Sequence, residues 1–303
     1  MIQFQKLTLE DRPRIEAVLT GAGERGCEYS FANLYLWGRQ PAAFVGEDLV
    51  IFSQFDRKSL YLYPVGSGDR LQTLYAIIDD AAYRGIPCRL TGLTEADCRE
   101  LESLLPRQFR YHISRDSFDY IYDIHGLADL PGRKYQRKRN HVNRFLQEYP
   151  DYSTQPITRE NLPQVRQLVE SWYEDRLRAD PNQDFLLEQA ALSKALRDFE
   201  ALGLEGMVLQ AGDRLLAMAI GSRLNETTFD IHFEKAMERS DGVYGMINRE
   251  FARYLRDLYP QVRWLNREDD MGIEGLRKAK LSYSPDRMIE KSWVCLLEAC
   301  YDY

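Results

Sequence analysis

The chain is predicted to be an α/β (α+β) protein of two similar halves, each with a central sheet flanked by helices. Three observations predict this class. Short segments with an apolar residue at every second position alternate with longer ones whose apolar residues recur every three or four, the periods of a half-buried strand and an amphipathic helix. The order of those segments in the second half is repeated, more loosely, in the first. The 303 residues amount to about twice the usual domain length, so two units are expected.

In the first half, Thr8 to Leu19 reads as a helix that Thr8 can cap, with Pro13 in its first turns. Glu28 to Trp37 is a dense aromatic segment closed by Gly38. Strands follow at Ala42–Val45, Leu49–Gln54 and Ser59–Pro64, with Gly46-Glu47-Asp48 as a hairpin turn. A helix is expected from Arg70 to Tyr83, where Leu71, Leu74, Tyr75 and Ile78 share a face. A strand at Cys88–Leu90, a helix at Glu95–Leu104 and strands at Arg110–Ser114 and Phe118–Ile124 complete it.

Pro131-Gly132 then opens a connecting helix with six Lys or Arg residues and no acidic one between residues 133 and 146. Tyr135, Val142, Phe145, Leu146 and Tyr149 line one side. Lys134, Arg137, Lys138, His141 and Arg144 gather on the other, with Arg139 and Asn140 between them. Two readings stand: a solvated connector, or a helix that faces the phosphates of an RNA end, a cofactor or a lipid headgroup. The resulting division is residues 1–130, a basic helix at 131–150, and residues 151–303.

The second half opens with helices at Asn161–Leu177 and Leu187–Ala201. Strands at Gly206–Gln210, Leu215–Arg223 and Thr228–Lys235 are joined by turns at Ala211-Gly212-Asp213-Arg214 and Asn225-Glu226. A helix from Val243 to Leu258, a strand at Arg263–Asn266, a helix at Ile273–Ser282 and a last strand at Met288–Leu296 follow.

Composition narrows the function classes. Hydrophobic residues at 44% and charged residues at 29% are those of an ordinary globular protein. A net charge of -7 opposes a chain-wide nucleic-acid coat, so DNA is not expected and any contact with RNA or anionic lipid must be local. Five cysteines without a Cys-x-x-Cys pair suggest reduced thiols, with neither a disulfide framework nor a zinc knuckle. No signal-peptide core opens the chain, and no apolar run reaches the ~18 residues of a membrane span. A cytoplasmic setting is expected, with the membrane surface as a place it can visit peripherally.

Chemistry concentrates late in the chain. The glycine-bearing loop from Ser240 to Gly245 feeds a helix start whose unpaired N–H groups suit a phosphate or carboxylate. Along 228–235, strict alternation would put Asp230, His232 and Glu234 on one face and Phe229, Ile231 and Phe233 on the other. Acyl transfer needs a base for the acceptor and donors for the oxyanion, so Glu234 or His232 is the expected base. Asn266, Arg267, Glu268, Asp269 and Asp270 sit at a strand end, where ligands collect in open α/β sheets. With Asn248, Arg277 and Lys278 they form the expected substrate-binding set, unless the acids merely stabilise the next helix start. Metal-loop spacings, a P-loop and a nucleophile elbow are all absent, so no metal is assigned.

Two segments carry a family resemblance. Gly275-Leu276-Arg277-Lys278-Ala279-Lys280 through Pro285 resembles the Gly-Leu-Arg-Lys/Arg-Phe-Lys…Pro signature of the catalytic domain of phosphatidylglycerol lysyltransferase. Lys138-Arg139-Asn140-His141-Val142-Asn143-Arg144 resembles its basic helix, and Glu28–Trp37 and Asn266–Gly272 extend the likeness over nearly the whole chain. The element order of the second half also resembles the GNAT (acyl-CoA N-acyltransferase) fold. The resemblance implies a tandem GNAT-like fold with two mixed central sheets, similar also to the Fem-type transferases that use aminoacyl-tRNA. It implies an acyltransferase or aminoacyltransferase whose donor is an aminoacyl-tRNA or a CoA ester. The acceptor would be a small molecule, a peptide or a lipid headgroup. The chain departs by carrying no transmembrane flippase module and by having Ala279 where the signature has Phe. In the GNAT pyrophosphate motif Arg239 and Gly242 fit, Tyr244 takes a small-residue position and Gly245 comes one place late. A bulky Tyr244 would narrow an acyl-CoA groove, which favours another donor. A non-catalytic binding module and a conventional acetyl-CoA N-acetyltransferase are the alternatives.

Overall fold

The computed structural model describes residues 1–38, 40–55, 58–180, 185–237 and 241–297. The backbone forms two compact units, neither continuous in sequence. One comprises Met1–Asp119, Asp269–Ile273 and Met288–Tyr303, the other Tyr120–Glu268 and Glu274–Arg287.

The first unit is built on a mixed sheet in the order Ala42–Val45, Asp48–Phe55, Lys58–Leu62, Arg89–Leu93, Ser292–Leu296, Phe109–Ile113, with Val65–Gly66 paired to Asp48–Phe55. Helix Arg70–Arg84 is capped by the Asp69 carboxylate, which accepts from Gln72 N–H, and ends at Gly85 with φ +65°. Its Leu74, Ile77 and Ala81 pack into one core with Val50, Leu90 and Val294. Helix Glu95–Leu104 starts on a Thr94/Asp97 capping box. The aromatic segment forms a short helix, Phe31–Trp37, capped by Ser30.

The last strand departs from expectation. Met288–Leu296 is not one strand of the second half: Arg287–Ile289 borders the second sheet, while Ser292–Leu296 lies in the middle of the first. Val294 and Cys295 are both fully buried, as a central strand covered on two faces requires. Lys291, at the break, is anchored. Its ammonium donates to Asp119 at 2.8 Å and Glu28 at 2.9 Å. Burial works against the charge of Lys291, but Asp119, Glu28, Cys27 and Asp269 hold its pKa well above the ordinary lysine value. The same logic moves Asp119–Asp123 into the second sheet, since Tyr120, Ile121 and Tyr122 are all fully buried. The expected boundaries at 130 and 150 therefore differ from the compact units, which exchange strands. Cys27, Cys88 and Cys98 carry free thiols, as expected.

The second unit has a mixed sheet in the order Arg287–Ile289, Asp119–Asp123, Trp264–Asn266, Thr228–Ala236, Arg214–Arg223, Glu205–Ala211, Tyr152–Pro156. The edge strand Tyr152–Pro156 escapes the sequence reading; its burial alternates only weakly. Helices Leu162–Ala179 and Leu186–Arg197 precede the meander, and Asp241–Leu258 crosses over to Trp264–Asn266, which runs parallel to Thr228–Ala236. That parallel pairing lasts three residues and ends at Asp230↔Asn266. Beyond it, side chains bridge the two strands.

Candidate functional site

The strand Thr228–Ala236 does not alternate strictly. Its register against Arg214–Arg223 steps from Gly221↔Ile231 to Ile220↔Phe233, leaving His232 without a partner. Such a bulge shifts the side-chain phase by one. Phe229 stacks edge-on against Phe251 of helix Asp241–Leu258, and Glu234 accepts a hydrogen bond from Asn248 of that same helix. Lys235 turns the other way, to Glu188 and the ring of Trp172 at 3.9 Å. The expected shared face of Asp230, His232 and Glu234 is thus broken: the bulge separates Glu234 from Asp230.

Glu234 lies in a polar cluster. Arg267, which follows the short strand Trp264–Asn266, forms an ion pair with it through Nη2, and Asn248 Nδ2 donates to its other oxygen at 3.1 Å. The two charged side chains are 13% and 14% exposed. Burial opposes the charge of Arg267, but Glu234 and the nearby Tyr122 and Tyr283 raise its pKa above the ordinary guanidinium value. Its guanidinium lies 5.0 Å from the Tyr283 ring and 5.8 Å from that of Tyr122. Lys280, buried, donates to the Arg267 carbonyl, and Tyr122 Oη to the Lys280 carbonyl at 2.8 Å. Two buried atoms in this cluster have no hydrogen-bond partner: Asn248 Oδ1, on a residue 7% exposed, and Arg267 Nη1. One can only accept and the other only donate.

His232 belongs to a second cluster. Its Nε2 lies 2.8 Å from Ser222 Oγ, and its Nδ1 lies 3.2 Å from Glu268 Oε1 and 3.6 Å from Asp230 Oδ2. Asp230 is fully buried and the imidazole 2% exposed. Glu268 has φ +55°, rare for a residue other than glycine, and its N–H donates to Asn266 Oδ1 at 2.7 Å.

The remaining expected residues divide. Gly242 and Gly245 are buried and Tyr244 half-buried in the first turns of helix Asp241–Leu258. Burial raises the Tyr244 phenol, which also senses Arg176 and Glu234. Arg239 lies outside the described residues. On the basic helix, observed as Gln136–Glu148, Tyr135, Val142 and Phe145 face the core as expected. Lys138 places Nζ 3.7 Å over the Tyr283 ring, on the aromatic that also neighbours Arg267. Lys134 pairs with the Asp286 carboxylate at 3.1 Å, and Arg139 Nη1 donates to the carbonyls of Leu130 and Gly132, tying that stretch of backbone together. Arg137 and Asn140 are exposed. Asp269 and Asp270 fold with the first unit, where Asp270 is buried, pairs with Arg115 at 3.4 Å and accepts from Gly272 N–H. Lys278 pairs with Glu274 one turn away on the surface, and Arg277 is half-buried. The sequence reading missed Tyr122, Tyr283, Lys280 and Ser222. Only Tyr283 and Lys280 carried a signal, as members of the Gly275–Pro285 segment.

The model of the family described as phosphatidylglycerol lysyltransferase, C-terminal, matches residues 20–295. The chain belongs to that family. It is similar at 39% identity to a conserved protein of unknown function from Bacteroides thetaiotaomicron VPI-5482, whose crystal structure superposes with a TM-score of 0.91 over 98% of this chain and 100% of that one. The L-PGS structure from Bacillus licheniformis is 16% identical, with a TM-score of 0.68 over 96% of this chain and 93% of that one. FemX is 12% identical, with a TM-score of 0.58 over 98% of each chain. These two likenesses carry the fold: a tandem GNAT-like arrangement. An uncharacterized protein of Mycoplasmoides gallisepticum, MYCGA3080, is 28% identical over 225 residues; the match spans 74% of this chain and 65% of that relative. Family and fold together support an acyltransferase or aminoacyltransferase class. Among the described residues no helix is long and apolar enough to cross a membrane.

Proposed function

We propose that this chain transfers an aminoacyl group from an aminoacyl ester, of the kind carried by charged tRNA, to an amine or hydroxyl acceptor. One observation carries the choice of donor: Asn248 Oδ1 and Arg267 Nη1, both buried without a hydrogen-bond partner, flank the carboxylate of Glu234. An α-aminoacyl ester has the complementary pair, an ammonium that donates and, one carbon away, a carbonyl that accepts. Glu234 and Asn248 Oδ1 would hold the ammonium, and Arg267 Nη1 the carbonyl oxygen. Glu234 already accepts from Asn248 and pairs with Arg267, so its carboxylate lies where the ammonium would be held.

In the reaction the acceptor atom bonds to the carbonyl carbon and the ester C–O bond breaks. The acceptor's proton ends on the departing ribose oxygen. Arg267 would stabilise negative charge on the carbonyl oxygen as it develops. The start of helix Asp241–Leu258, with the exposed Arg137 and Asn140 of the basic helix, would take backbone phosphates of the donor. Lipid headgroups, peptides and small amines all remain in the acceptor class, and the expected place of action is the cytoplasm, including its membrane face.

A CoA ester is the second reading, favoured by the Gly242–Gly245 helix start and opposed by Tyr244 in a small-residue position. The deciding measurement is transfer of label from aminoacyl-tRNA, and from acetyl-CoA, to a mixed panel of amines, peptides and anionic lipid vesicles. Turnover with aminoacyl-tRNA that falls in Asn248→Ala and Arg267→Lys supports the proposal. Turnover with acetyl-CoA alone overturns it.

A further inference from the structure

We propose that Asp230, His232 and Glu268 bind a divalent transition-metal ion, Zn2+ or Mn2+, beside the Arg267 turn. The proposal stands on geometry separate from the donor cluster and does not need the transfer reaction. His232 Nδ1 faces two carboxylates at 3.2 and 3.6 Å, and one oxygen or nitrogen from each of the three residues lies within 4.8 Å of the others. Metal–ligand bonds of about 2.0–2.2 Å put neighbouring ligands roughly 3.0–3.5 Å apart, close to the 3.2 and 3.6 Å from Nδ1 to the two carboxylates. A dication lying among the three would relieve the repulsion between the two carboxylates, which are brought together with little water.

The surroundings resemble those of a metal ligand. Ser222 Oγ lies 2.8 Å from Nε2, the partner that fixes ring orientation when the other nitrogen binds a metal. The bulge frees His232 from strand pairing, and Asn266 Oδ1 holds the Glu268 N–H in its left-handed conformation, aiming that carboxylate back at the imidazole. Glu268 is 21% exposed, whereas Asp230 is fully buried, so the entry path and any fourth ligand lie on the Glu268 side. One nitrogen and two carboxylates form a mixed donor set. Imidazole suits zinc-like ions and carboxylate suits manganese-like ones, which is why the class is Zn2+ or Mn2+ and not Ca2+. A second acidic cluster, Cys27, Glu28 and Asp119, offers an internal control: there the Lys291 ammonium lies among the ligand atoms and does the cation's work.

The test uses the full chain, stripped with a chelator and dialysed. Zn2+ and Mn2+ are titrated separately by calorimetry, and bound metal is counted by mass spectrometry after desalting. The expected result is about one equivalent bound, with a melting temperature several degrees higher. Ser222→Ala should weaken binding roughly 10- to 100-fold as an outer-shell change. His232→Gln and Glu268→Gln should abolish it, and Glu28→Gln should leave it intact. If His232→Gln does not fold, the more exposed Glu268→Gln decides. Absence of saturable binding by either ion overturns the proposal, as does binding that survives Glu268→Gln unchanged or is lost in Glu28→Gln instead.

Discussion

Glu234→Gln separates the ammonium-holding role from that of a base, because it keeps the shape and removes the charge. Both partners of the Glu234–Arg267 pair are about one-seventh exposed. Removing one member of a fully buried pair costs about 3–5 kcal/mol, since the other charge is left uncompensated. Here the Gln amide oxygen can still accept from Asn248 Nδ2, and residual exposure lets water reach Arg267, so about 2–3 kcal/mol is expected. At ~2–4 °C per kcal/mol the melting temperature falls by roughly 4–12 °C. For function, losing a hydrogen bond to a charged group removes about 1.5–3 kcal/mol, or roughly 10- to 150-fold in affinity. The assay is a binding titration with a non-hydrolysable aminoacyl-adenosine amide and with its deaminated analogue. Wild type should prefer the amino form by that factor, and Glu234→Gln should bind the two alike. A variant that keeps the preference yet loses ~10²–10⁴-fold in kcat would restore Glu234 as the base and refute the reasoning.

Lys291→Met should cost about 3–5 kcal/mol, because it leaves the buried Asp119 and the nearly buried Glu28 facing each other, and urea midpoints measure it. The folded pKa of Lys291 is raised, so its contribution is fully present below the unfolded value of about 10.4 and is lost only as pH rises through the higher folded one. The gap between wild type and variant should therefore be the same at pH 7 and pH 9. Arg139→Ala should lower stability by about 1–3 kcal/mol through two abandoned carbonyls and leave donor affinity nearly intact, as chemical denaturation and tRNA binding would show. Arg137→Glu should do the reverse, weakening tRNA binding and flattening its salt dependence. Gly221→Ala should cost about 1–3 kcal/mol or more by melting analysis, since the added methyl overlaps the Asp230 carbonyl opposite the bulge.

Much of the second unit was legible because its elements are local. The meander, the glycine-started helix Asp241–Leu258 and the basic helix each announce themselves through period, turn residues or charge. What sequence hid was non-local. Nothing around Met288–Leu296 says that the chain changes sheets at Glu290–Lys291; the reason is an ion cluster whose members, Glu28, Asp119 and Lys291, are far apart in sequence. The bulge at His232 was equally invisible. Thr228–Ala236 reads as strict alternation, and a one-residue slip in phase leaves no mark on the pattern that it inverts. The candidate residues, neighbours in sequence, are therefore grouped differently in space. Glu234 joins Asn248 and Arg267, His232 joins Ser222 and Glu268, and Asp269 and Asp270 leave for the other unit.

That regrouping explains why Arg267 and Glu268, adjacent in the chain, take different tasks. A peptide running on as a paired strand would point consecutive side chains to opposite faces. The pairing with Thr228–Ala236 has ended at Asn266, and the positive φ of Glu268 turns the backbone, so both side chains reach back to the neighbouring strand on either side of its bulge. Arg267 meets Glu234 beyond the bulge and Glu268 meets His232 at it. One turn thus aims both Arg267 and Glu268. Asn266→Ala removes the carbonyl that holds the Glu268 N–H and should loosen both contacts at once. Coupling between Asn266→Ala and Glu234→Gln in a double-mutant cycle, at about 0.5 kcal/mol or more, is the expected sign that the two clusters act through one turn. Simple additivity would mean that each is held by its own surroundings.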